Sequence, residues 1–394
     1  MKTFFLVAGE ASGDFLGAQV MRSLKSMFDS PTFIGVGGPQ MAAEGLESCF
    51  PYNELSIMGV LEILPQLRKL LRHIDETVAL AKKTQPCAIV TIDAPGFNMR
   101  FIKRARKAGL PGPFIHYTAP QVWAWRPGRV HKIARLVDHL LCLFPFEPPY
   151  FQKVNLPTTF VGHPSIELAT NKDPTFRARY MIPDTAQVLT LLPGSRVGEI
   201  TRLLPIFQET ARFLQARFPD LFLLIPTLPH LEAAVRKAFD GFPVPWRCLL
   251  PEDKMQGFLH AQAAIAASGT VTLELAHAGL PAVVGYRLSP LTYFFAKRMV
   301  SVQHISLVNL LLNRPLLTEL VQEHCIPERL YEATVPLLED SRKAAAIREG
   351  YGQALAMLHP EGHNRPSAAA AAVIAKVAIS SSKALSGCLP LYTP

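Results

Sequence analysis

Short runs of apolar residues alternate along most of the chain with longer amphipathic segments. Each run has the length of a buried strand, and most intervening segments, such as 17–28 and 203–217, have the length of a helix. The predicted strands are Thr3–Val7, Thr32–Val36, Cys87–Ile92, Pro113–Tyr117, Leu140–Phe144, Thr159–Gly162, Val188–Leu192, Leu221–Ile225, Ala263–Ala267 and Ala282–Tyr286. Repeated strand–helix alternation is typical of parallel sheets joined by right-handed crossovers. The pattern therefore predicts the α/β class with doubly wound parallel sheets.

The alternation is interrupted over residues 163–187, where a polar, proline-containing stretch predicts a linker. A chain of 394 residues is long enough for two domains, and two Rossmann-like domains facing a cleft fit the pattern better than one large sheet. We place the first domain at 1–167 and the second at 168–355. The segment 356–380 is predicted to be helical and either returns to the first domain or is exchanged with a second copy. We expect 381–394 to be a loose tail.

Composition and charge narrow the class of protein. Apolar residues make up 49% of the chain and charged residues 18%, which excludes wholesale disorder. No run approaches the roughly 18 uninterrupted apolar residues of a membrane span. The first apolar run ends before Glu10 and is short for a signal peptide, so we expect a cytosolic protein. A net charge of +9 favours an anionic partner, such as nucleic acid, a phosphorylated metabolite or an acidic membrane.

Ligands of doubly wound folds bind beyond the carboxyl ends of the strands, so the residues after each strand are the candidates for chemistry. After the first strand, the glycines of Gly9–Asp14 permit a tight turn, and Glu10 and Asp14 can accept hydrogen bonds from sugar hydroxyls. The alternative for Asp14 is a charge at a helix N-terminus. A later strand ends at Asp93, which is placed to act as a general base or to cap the following turn.

Two turns in the second half carry groups suited to phosphate. Pro193–Arg196 presents backbone N–H groups at a helix start, and a guanidinium can bind a phosphate through two hydrogen bonds. Ser268–Thr270 offers hydroxyls and amides to a pyrophosphate, and Glu274 can bind a ribose diol. The alternatives are an ordinary turn with a solvated Arg196 and simple helix capping by Ser268 or Thr270.

Two further stretches point to an anionic surface. Between Arg100 and Arg135 there are nine Lys or Arg and no acidic residue, with Trp123 and Trp125 among them. Such a segment suits anionic lipid or stacked bases, or is a solvated face. Over Met58–Ile74, apolar residues recur at three-to-four spacing beside cations, which is typical of an interfacial helix and also of core packing. The predicted membrane contacts are Leu64, Leu67, Arg68, Lys69, Leu71 and Arg72.

Nine short segments match, in order, the motifs of one enzyme family. They are Gly9–Asp14, Gly35–Pro39, Met58–Val60, Asp93–Pro95, Val122–Arg126, Val161–Pro164, Leu192–Arg196, Ser268–Thr270 with Glu274, and Val284–Arg287. The chain thereby resembles the lipid-A-disaccharide synthases, inverting glycosyltransferases of family 19 in bacterial outer-membrane biogenesis. The resemblance implies a GT-B fold. It also implies transfer of 2,3-diacylglucosamine from its UDP donor to 2,3-diacylglucosamine 1-phosphate, giving UDP and a β-1,6-linked disaccharide 1-phosphate.

The resemblance also implies roles for individual residues. Asp93 would be the catalytic base. The acceptor or cleft residues would be Glu10, Ser12 and Asp14. The donor contacts would be Arg196, Ser268, Gly269, Thr270, Glu274 and Asn309. The asparagine follows Ser306-Leu307-Val308 here, where the family usually has Ser-Leu-Pro.

The expected partners follow from the same resemblance. They are the two acylated substrates and the anionic inner membrane, on whose inner face the enzyme would be peripheral; some members form a homodimer by exchanging C-terminal segments. No nucleic acid is expected. The sequence contains no Asp-x-Asp motif and no acidic metal cluster, so we expect neither a metal nor another cofactor.

Two alternative functions stay open at this point. One is another GT-B enzyme that uses a UDP-sugar, such as a lipid-linked N-acetylglucosaminyltransferase or an epimerase. The other is a non-catalytic protein that binds a membrane or nucleic acid through the basic segment. Turnover of a UDP-diacylglucosamine donor separates both alternatives from the function that the resemblance implies, because only that function predicts this turnover.

Overall fold

In the computed structural model, the described residues are 2–55, 63–124, 128–290, 292–294 and 302–386, and the side chains at 53, 55, 63–67 and 382–386 lie outside the description. The chain divides into two compact units. The first comprises Met1–Pro164 with Leu358–Pro394, and the second comprises Ser165–Met357.

Each unit is built on one parallel sheet. The strands of the first unit are β1 Thr3–Ala8, β2 Thr32–Val36, β3 Leu46–Ser48, β4 Ala88–Ile92, β5 Phe114–Tyr117, β6 His139–Cys142 and β7 Thr158–Phe160. Those of the second unit are β8 Gln187–Leu192, β9 Leu221–Pro226, β10 Trp246–Leu249, β11 Ala263–Ala266, β12 Ala282–Tyr286 and β13 Glu319–Val321. The strand orders are β3-β2-β1-β4-β5-β6-β7 and β10-β9-β8-β11-β12-β13, and all the pairings are parallel.

Helices connect the strands and cover the sheets. In the first unit they are α1 Ala11–Lys25, α2 Pro39–Ala43, α3 Ile63–Thr84, α4 Pro95–Lys107, α5 Arg129–Ala134 and α6 Pro148–Gln152. In the second unit they are α7 Phe176–Arg179, α8 Val197–Arg217, α9 Pro229–Ala238, α10 Lys254–Leu259, α11 Val271–His277, α12 Leu307–Leu312, α13 Pro327–Glu339 and α14 Ser341–Ala356. The last helix, α15 Pro366–Ser386, belongs again to the first unit. Short 3-10 helices lie at Tyr52–Leu55, Pro164–Glu167, Pro251–Asp253 and Gln322–His324.

The predicted fold class is confirmed, and each of the ten predicted strands is present. Three further strands, β3, β10 and β13, were not predicted from the sequence. Each of them lies at the edge of its sheet. An edge strand needs less apolar surface than a central one: in β3, only Leu46 is buried, whereas Glu47 and Ser48 are exposed. A three-residue strand of this composition has no recognisable apolar run.

The linker predicted over 163–187 is mostly part of the second unit, which corrects that expectation. Phe176 is fully buried there, and Ile182 and Ala186 pack with Val188 at the start of β8. The backbone N–H of Asp173 donates to Gln256 Oε1 at 2.8 Å. Prolines and polar residues separate these apolar side chains in sequence, so the segment has no periodicity even though it contributes to the core.

The C-terminal segment packs on the first unit. The alanine-rich start of α15 is buried against α1, together with Ile374. Small side chains allow two helices to approach closely, which explains the run of alanines at this contact. The helix continues to Ser386, past the predicted boundary at 380, and residues 387–394 lie outside the description.

Each sheet has a point where its strand order reverses. In the first unit, β1 pairs with β2 on one side and β4 on the other; in the second, β8 lies between β9 and β11 in the same way. Because successive crossovers leave in opposite directions from such a point, a crevice opens beyond the carboxyl ends of the two central strands. The loops after β1, β4, β8 and β11 contain most of the predicted site residues.

Candidate active site

Asp93 lies at the reversal point of the first sheet, directly after β4. Ser12 Oγ, from the first turn of α1, donates a hydrogen bond to Asp93 Oδ2 at 2.5 Å. The carboxylate is half-buried, and the backbone there is unusual, because Asp93 has φ 51° and Ala94 has φ 40°. Left-handed conformations cost free energy in residues other than glycine and tend to be kept where function needs them.

Buried hydrogen bonds hold this strained turn in place. The Asn98 side chain is fully buried, and its Nδ2 donates to the carbonyl oxygens of Ile92 at 3.1 Å and Asp93 at 2.7 Å. The backbone N–H of Asp93 donates to the Tyr117 carbonyl at 2.6 Å. Thus β4, β5 and α4 together fix the position of the carboxylate, and Ser12 fixes its orientation.

Asp14, which the resemblance places among the acceptor or cleft residues, has its carboxylate engaged within the protein. Its side chain is 2% exposed, and its oxygens accept from the backbone N–H groups of Gly38 at 2.9 Å, Gln40 at 3.0 Å and Met41 at 2.9 Å. These are donors at the start of α2, which otherwise have no helical partner. Glu10, by contrast, is exposed at the start of α1.

Glu199 organises the Arg196 loop of the second unit. This buried carboxylate accepts from the Ser195 backbone N–H at 2.9 Å, and its other oxygen lies 3.4 Å from Arg196 Nη1 and 3.3 Å from the Tyr286 hydroxyl. A Cβ at Gly194, which has φ 116°, would lie 2.5 Å from Glu199 Oε2, so only glycine fits there. The Arg196 side chain is 80% exposed and is therefore presented to solvent.

The neighbouring carboxylate also affects Tyr286. Burial raises the pKa of its hydroxyl, and the negative charge of Glu199 raises it further. The tyrosine therefore stays a neutral hydrogen-bond donor that anchors Glu199 to the end of β12. Glu199 was visible in the sequence as an acid in the first turn of α8, but nothing local to the sequence indicated its contact with Tyr286.

The polar residues of the loop after β11 and of the helix α11 that follows it lie in different environments. Ser268 Oγ donates to the Ile305 carbonyl at 2.6 Å and so ties this loop to the segment before α12. Thr270 is exposed, and Glu274 forms an ion pair with Lys254 Nζ at 2.5 Å. The sequence prediction missed Lys254, which is distant along the chain and lies in no recognisable motif.

Asn309, an expected donor contact, is fully buried and has its amide engaged within the protein. Its Nδ2 donates to the Leu317 carbonyl and to Glu319 Oε1, both at 2.9 Å, and its Oδ1 accepts from the Leu317 N–H at 2.8 Å. Glu319 also accepts from the backbone N–H groups of Ile305 and Ser306. In this arrangement Asn309 positions the segment that Ser268 contacts.

The apolar residues predicted to contact a membrane over Met58–Ile74 do not all face solvent on α3. Ile74 is 2% exposed and belongs to the core, whereas Leu71 is 49% exposed. Arg68 is exposed; Lys69 lies 2.7 Å from Glu54, and Arg72 lies 3.4 Å from Glu76. Leu64 and Leu67 fall on α3, but their side chains lie outside the described residues, as does all of 56–62. The single-stripe expectation is therefore wrong at Ile74.

Trp123, expected on a basic surface, belongs to the core instead. It is 6% exposed, and its Nε1 donates to Glu147 Oε1 at 3.1 Å. Two cations of the same segment are engaged by carboxylates, Arg104 with Asp75 and Arg106 with Asp138. Trp125 and Arg126 lie outside the described residues. Fewer of the nine cations between Arg100 and Arg135 are therefore unpaired and available to an anionic partner than their number in the sequence indicates.

Glu147 provides a prediction about stability. Burial raises the pKa of its carboxyl to about 7, against the opposing hydrogen bonds from Phe144, Trp123 and Leu143. Between pH 4.5 and 7 the folded protein therefore retains a proton that the unfolded chain releases. Relative to Glu147→Gln, the wild-type free energy of unfolding should fall by about 3 kcal/mol as pH rises through this window. Urea unfolding of both proteins at the two ends of the window tests this, and a pH-independent difference would contradict it.

We also searched the described residues for clusters of metal ligands and for helices able to span a membrane. These residues contain no group of three or more His, Cys, Asp or Glu side chains placed to hold a metal ion. Within the same ranges, none of the helices combines the length and apolar character needed to cross a bilayer.

Comparison with known sequences identifies relatives over nearly the whole chain. A family model described as lipid-A-disaccharide synthetase matches residues 4–374. The lipid-A-disaccharide synthase of Rhodospirillum centenum is 48% identical over 340 residues, covering 85% of this chain and 85% of that protein. The synthase of Paramagnetospirillum magneticum is 42% identical over 375 residues, covering 94% of this chain and 96% of that protein.

Solved structures share the fold at low sequence identity. MnaA of S. aureus, in a co-structure with UDP, matches with a TM-score of 0.62 and 13% identity, covering 91% of this chain and 94% of that chain. MurG of Acinetobacter baumannii matches with a TM-score of 0.54 and 13% identity, covering 95% of this chain and 100% of that chain. These similarities confirm the expected GT-B fold.

Proposed function

Because this chain belongs to the lipid-A-disaccharide synthase family of glycosyltransferases, we propose that it transfers 2,3-diacylglucosamine from UDP to 2,3-diacylglucosamine 1-phosphate. The products are UDP and the β-1,6-linked disaccharide 1-phosphate. The observation that carries the chemistry is the oriented carboxylate of Asp93, held by Ser12 in a strained turn at the reversal point of the first sheet. The epimerase and binding-protein alternatives gain no specific support from these residues.

Asp93 serves as the general base in this proposal. The acceptor's 6-hydroxyl oxygen attacks the anomeric carbon of the donor sugar and forms the new C–O bond, while its proton passes to the Asp93 carboxylate. The bond from the anomeric carbon to the UDP oxygen breaks on the opposite face, so the configuration inverts. Ser12 donates to one carboxylate oxygen and thereby restricts rotation of the group that must receive the proton.

The second unit stabilises the departing diphosphate. Arg196 supplies a positive charge on a loop that Glu199 holds in position. In the neighbouring loop the exposed Thr270 supplies a polar group, and Ser268 and Gly269 position it. Helix α11 has only seven residues, so this role rests on the loop groups and the guanidinium rather than on a long helix dipole. Glu274, paired with Lys254, is the proposed contact of the donor ribose.

Both substrates carry acyl chains, which suggests where the enzyme works. Each buried CH₂ contributes about 0.8 kcal/mol, so neither substrate leaves a bilayer readily. We infer that the enzyme is peripheral on the inner face of the inner membrane. Leu71 and Arg68 on α3 are exposed side by side with Arg72 and form the described part of the docking surface.

A substitution at Leu71 tests membrane docking. Leu71→Ser should weaken binding to vesicles containing anionic lipid about tenfold, because it removes apolar area that would otherwise enter the acyl boundary. Turnover of detergent-dispersed substrate should change much less. Co-sedimentation with vesicles measures the binding.

Met27→Ser is the matched control, since Met27 is also exposed, at 42%, and lies in the same unit. Equal vesicle binding by the wild type and folded Leu71→Ser would eliminate Leu71 as a docking residue. Ile74 is unsuitable for this test because it is part of the core.

A further inference from the structure

We propose that a cavity in the second unit binds an acyl chain of the donor substrate, an assignment that rests on the proposed transferase function. The cavity has a volume of about 970 Å³. Its apolar lining comes from Leu288, Pro290, Tyr293 and Phe294, in the segment that follows β12. A volume at the upper end of the roughly 300–1,000 Å³ range of small-molecule sites leaves room for a flexible chain.

The cavity begins next to the proposed diphosphate site. Arg202 lines it from α8, and its Nε donates to the Arg287 carbonyl at 3.0 Å. A Cβ at Gly198 would lie 3.3 Å from Arg202 Nη2, so the guanidinium lies against the first turn of α8, directly after Arg196. On the other side, Tyr286 joins the end of β12 to Glu199. The start of α8 and the end of β12 therefore border both the Arg196 loop and the cavity.

Charge and shape both favour an acylated anion as the occupant. The lining side chains include two guanidinium groups, those of Arg202 and Arg287, and one carboxylate, that of Glu323. The Arg202 guanidinium lies against the first turn of α8, which follows Arg196, and the apolar lining belongs to Leu288, Pro290, Tyr293 and Phe294. A molecule with an anionic diphosphate and a hydrocarbon chain matches both parts, whereas UDP alone would leave the apolar part uncovered.

One residue of the apolar lining is tied to the sheet, and another is exposed. Gln322 is 8% exposed, and its Oε1 accepts from the Leu288 backbone N–H at 2.7 Å, which ties Leu288 to the end of β13. Phe294 is 54% exposed, an uncommon environment for a ring of this size. Covering that ring with an acyl chain removes apolar surface from water and favours binding of the long-chain donor.

Direct binding measurements with Phe294→Ser test the assignment. The probes are UDP alone and UDP-glucosamine acylated at both positions with either lauroyl or acetyl groups. The wild type should bind the lauroyl donor at least tenfold more tightly than the acetyl donor. Phe294→Ser should lose about tenfold in affinity for the lauroyl donor and leave the affinity for UDP unchanged. Phe294→Leu should retain most of the preference.

Met181→Ser is the matched control, because Met181 is 70% exposed in the same unit and does not line the cavity. Unchanged lauroyl affinity in Phe294→Ser would overturn the assignment, as would an equal loss of UDP affinity or the absence of chain-length preference in the wild type. If Phe294→Ser lost binding to lipid vesicles but kept its affinity for the lauroyl donor, the acyl-chain assignment would be overturned and Phe294 would be a membrane contact. A different result would refute the proposed transferase function. In that case the lauroyl donor would bind in a manner that depends on Phe294, but the wild type would not turn it over.

Discussion

Asp93→Asn should remove most of the turnover while leaving the fold and donor affinity intact. General-base assistance is typically worth about 10²–10⁴ in rate, and an amide cannot take the proton from the acceptor hydroxyl at neutral pH. The substitution is nearly isosteric, and the turn around residue 93 is held by backbone atoms and by Asn98, which it does not alter. The measurement is kcat for UDP release, together with the Kd of UDP.

Two further variants sharpen this test. Asp29→Asn removes an exposed carboxylate of the same unit and should have no effect on turnover. Ser12→Ala removes the hydrogen bond to Asp93 and should lower kcat by about tenfold with little effect on KM, because it loosens the orientation of the base without removing it. If Asp93→Asn turned over at a near-normal rate, another residue would have to accept the proton.

Arg196→Gln should lower kcat by about 10²–10³, which is the usual loss when one donor that stabilises developing negative charge is removed. The side chain is 80% exposed, so the fold should survive its replacement. In this mechanism the guanidinium carries the charge compensation that a divalent cation supplies in other transferases. Wild-type turnover should therefore be the same with and without EDTA.

Arg212→Gln is a control on the same helix, where Arg212 is exposed and pairs with Glu209 at 2.7 Å. It should not change kcat or the affinity for UDP. A strict requirement for Mg²⁺ or Mn²⁺ would contradict the proposed role of Arg196, as would an Arg196→Gln enzyme with unchanged kcat. Thermal unfolding of each variant separates a catalytic loss from a loss of fold.

The central strands and the positions of the loops that follow them could be predicted from the amino-acid pattern alone. A strand buried on both faces must be apolar along its length, and the runs at β1, β4, β8 and β11 show this directly. Once the strands were known, the rule for doubly wound folds placed Asp93 and Arg196 at the ligand-binding edges of their sheets. Four of the nine segments that resemble the family lie in or beside these same loops: Gly9–Asp14, Asp93–Pro95, Leu192–Arg196 and Ser268–Thr270.

Which polar residues are available to a ligand depends on contacts that form when the chain folds. Asp14 lies in a matching segment and Asn309 corresponds to an expected donor contact, yet their side chains are engaged by groups at 38–41 and 317–319. Conversely, Lys254 and Tyr286 acquire their roles through contacts with Glu274 and Glu199. Hydrogen bonds and burial depend on residues that are distant along the chain and adjacent in space. A local sequence pattern therefore indicates that a polar residue is near the site, and the packing of the surrounding elements determines whether it faces the ligand or holds the loop.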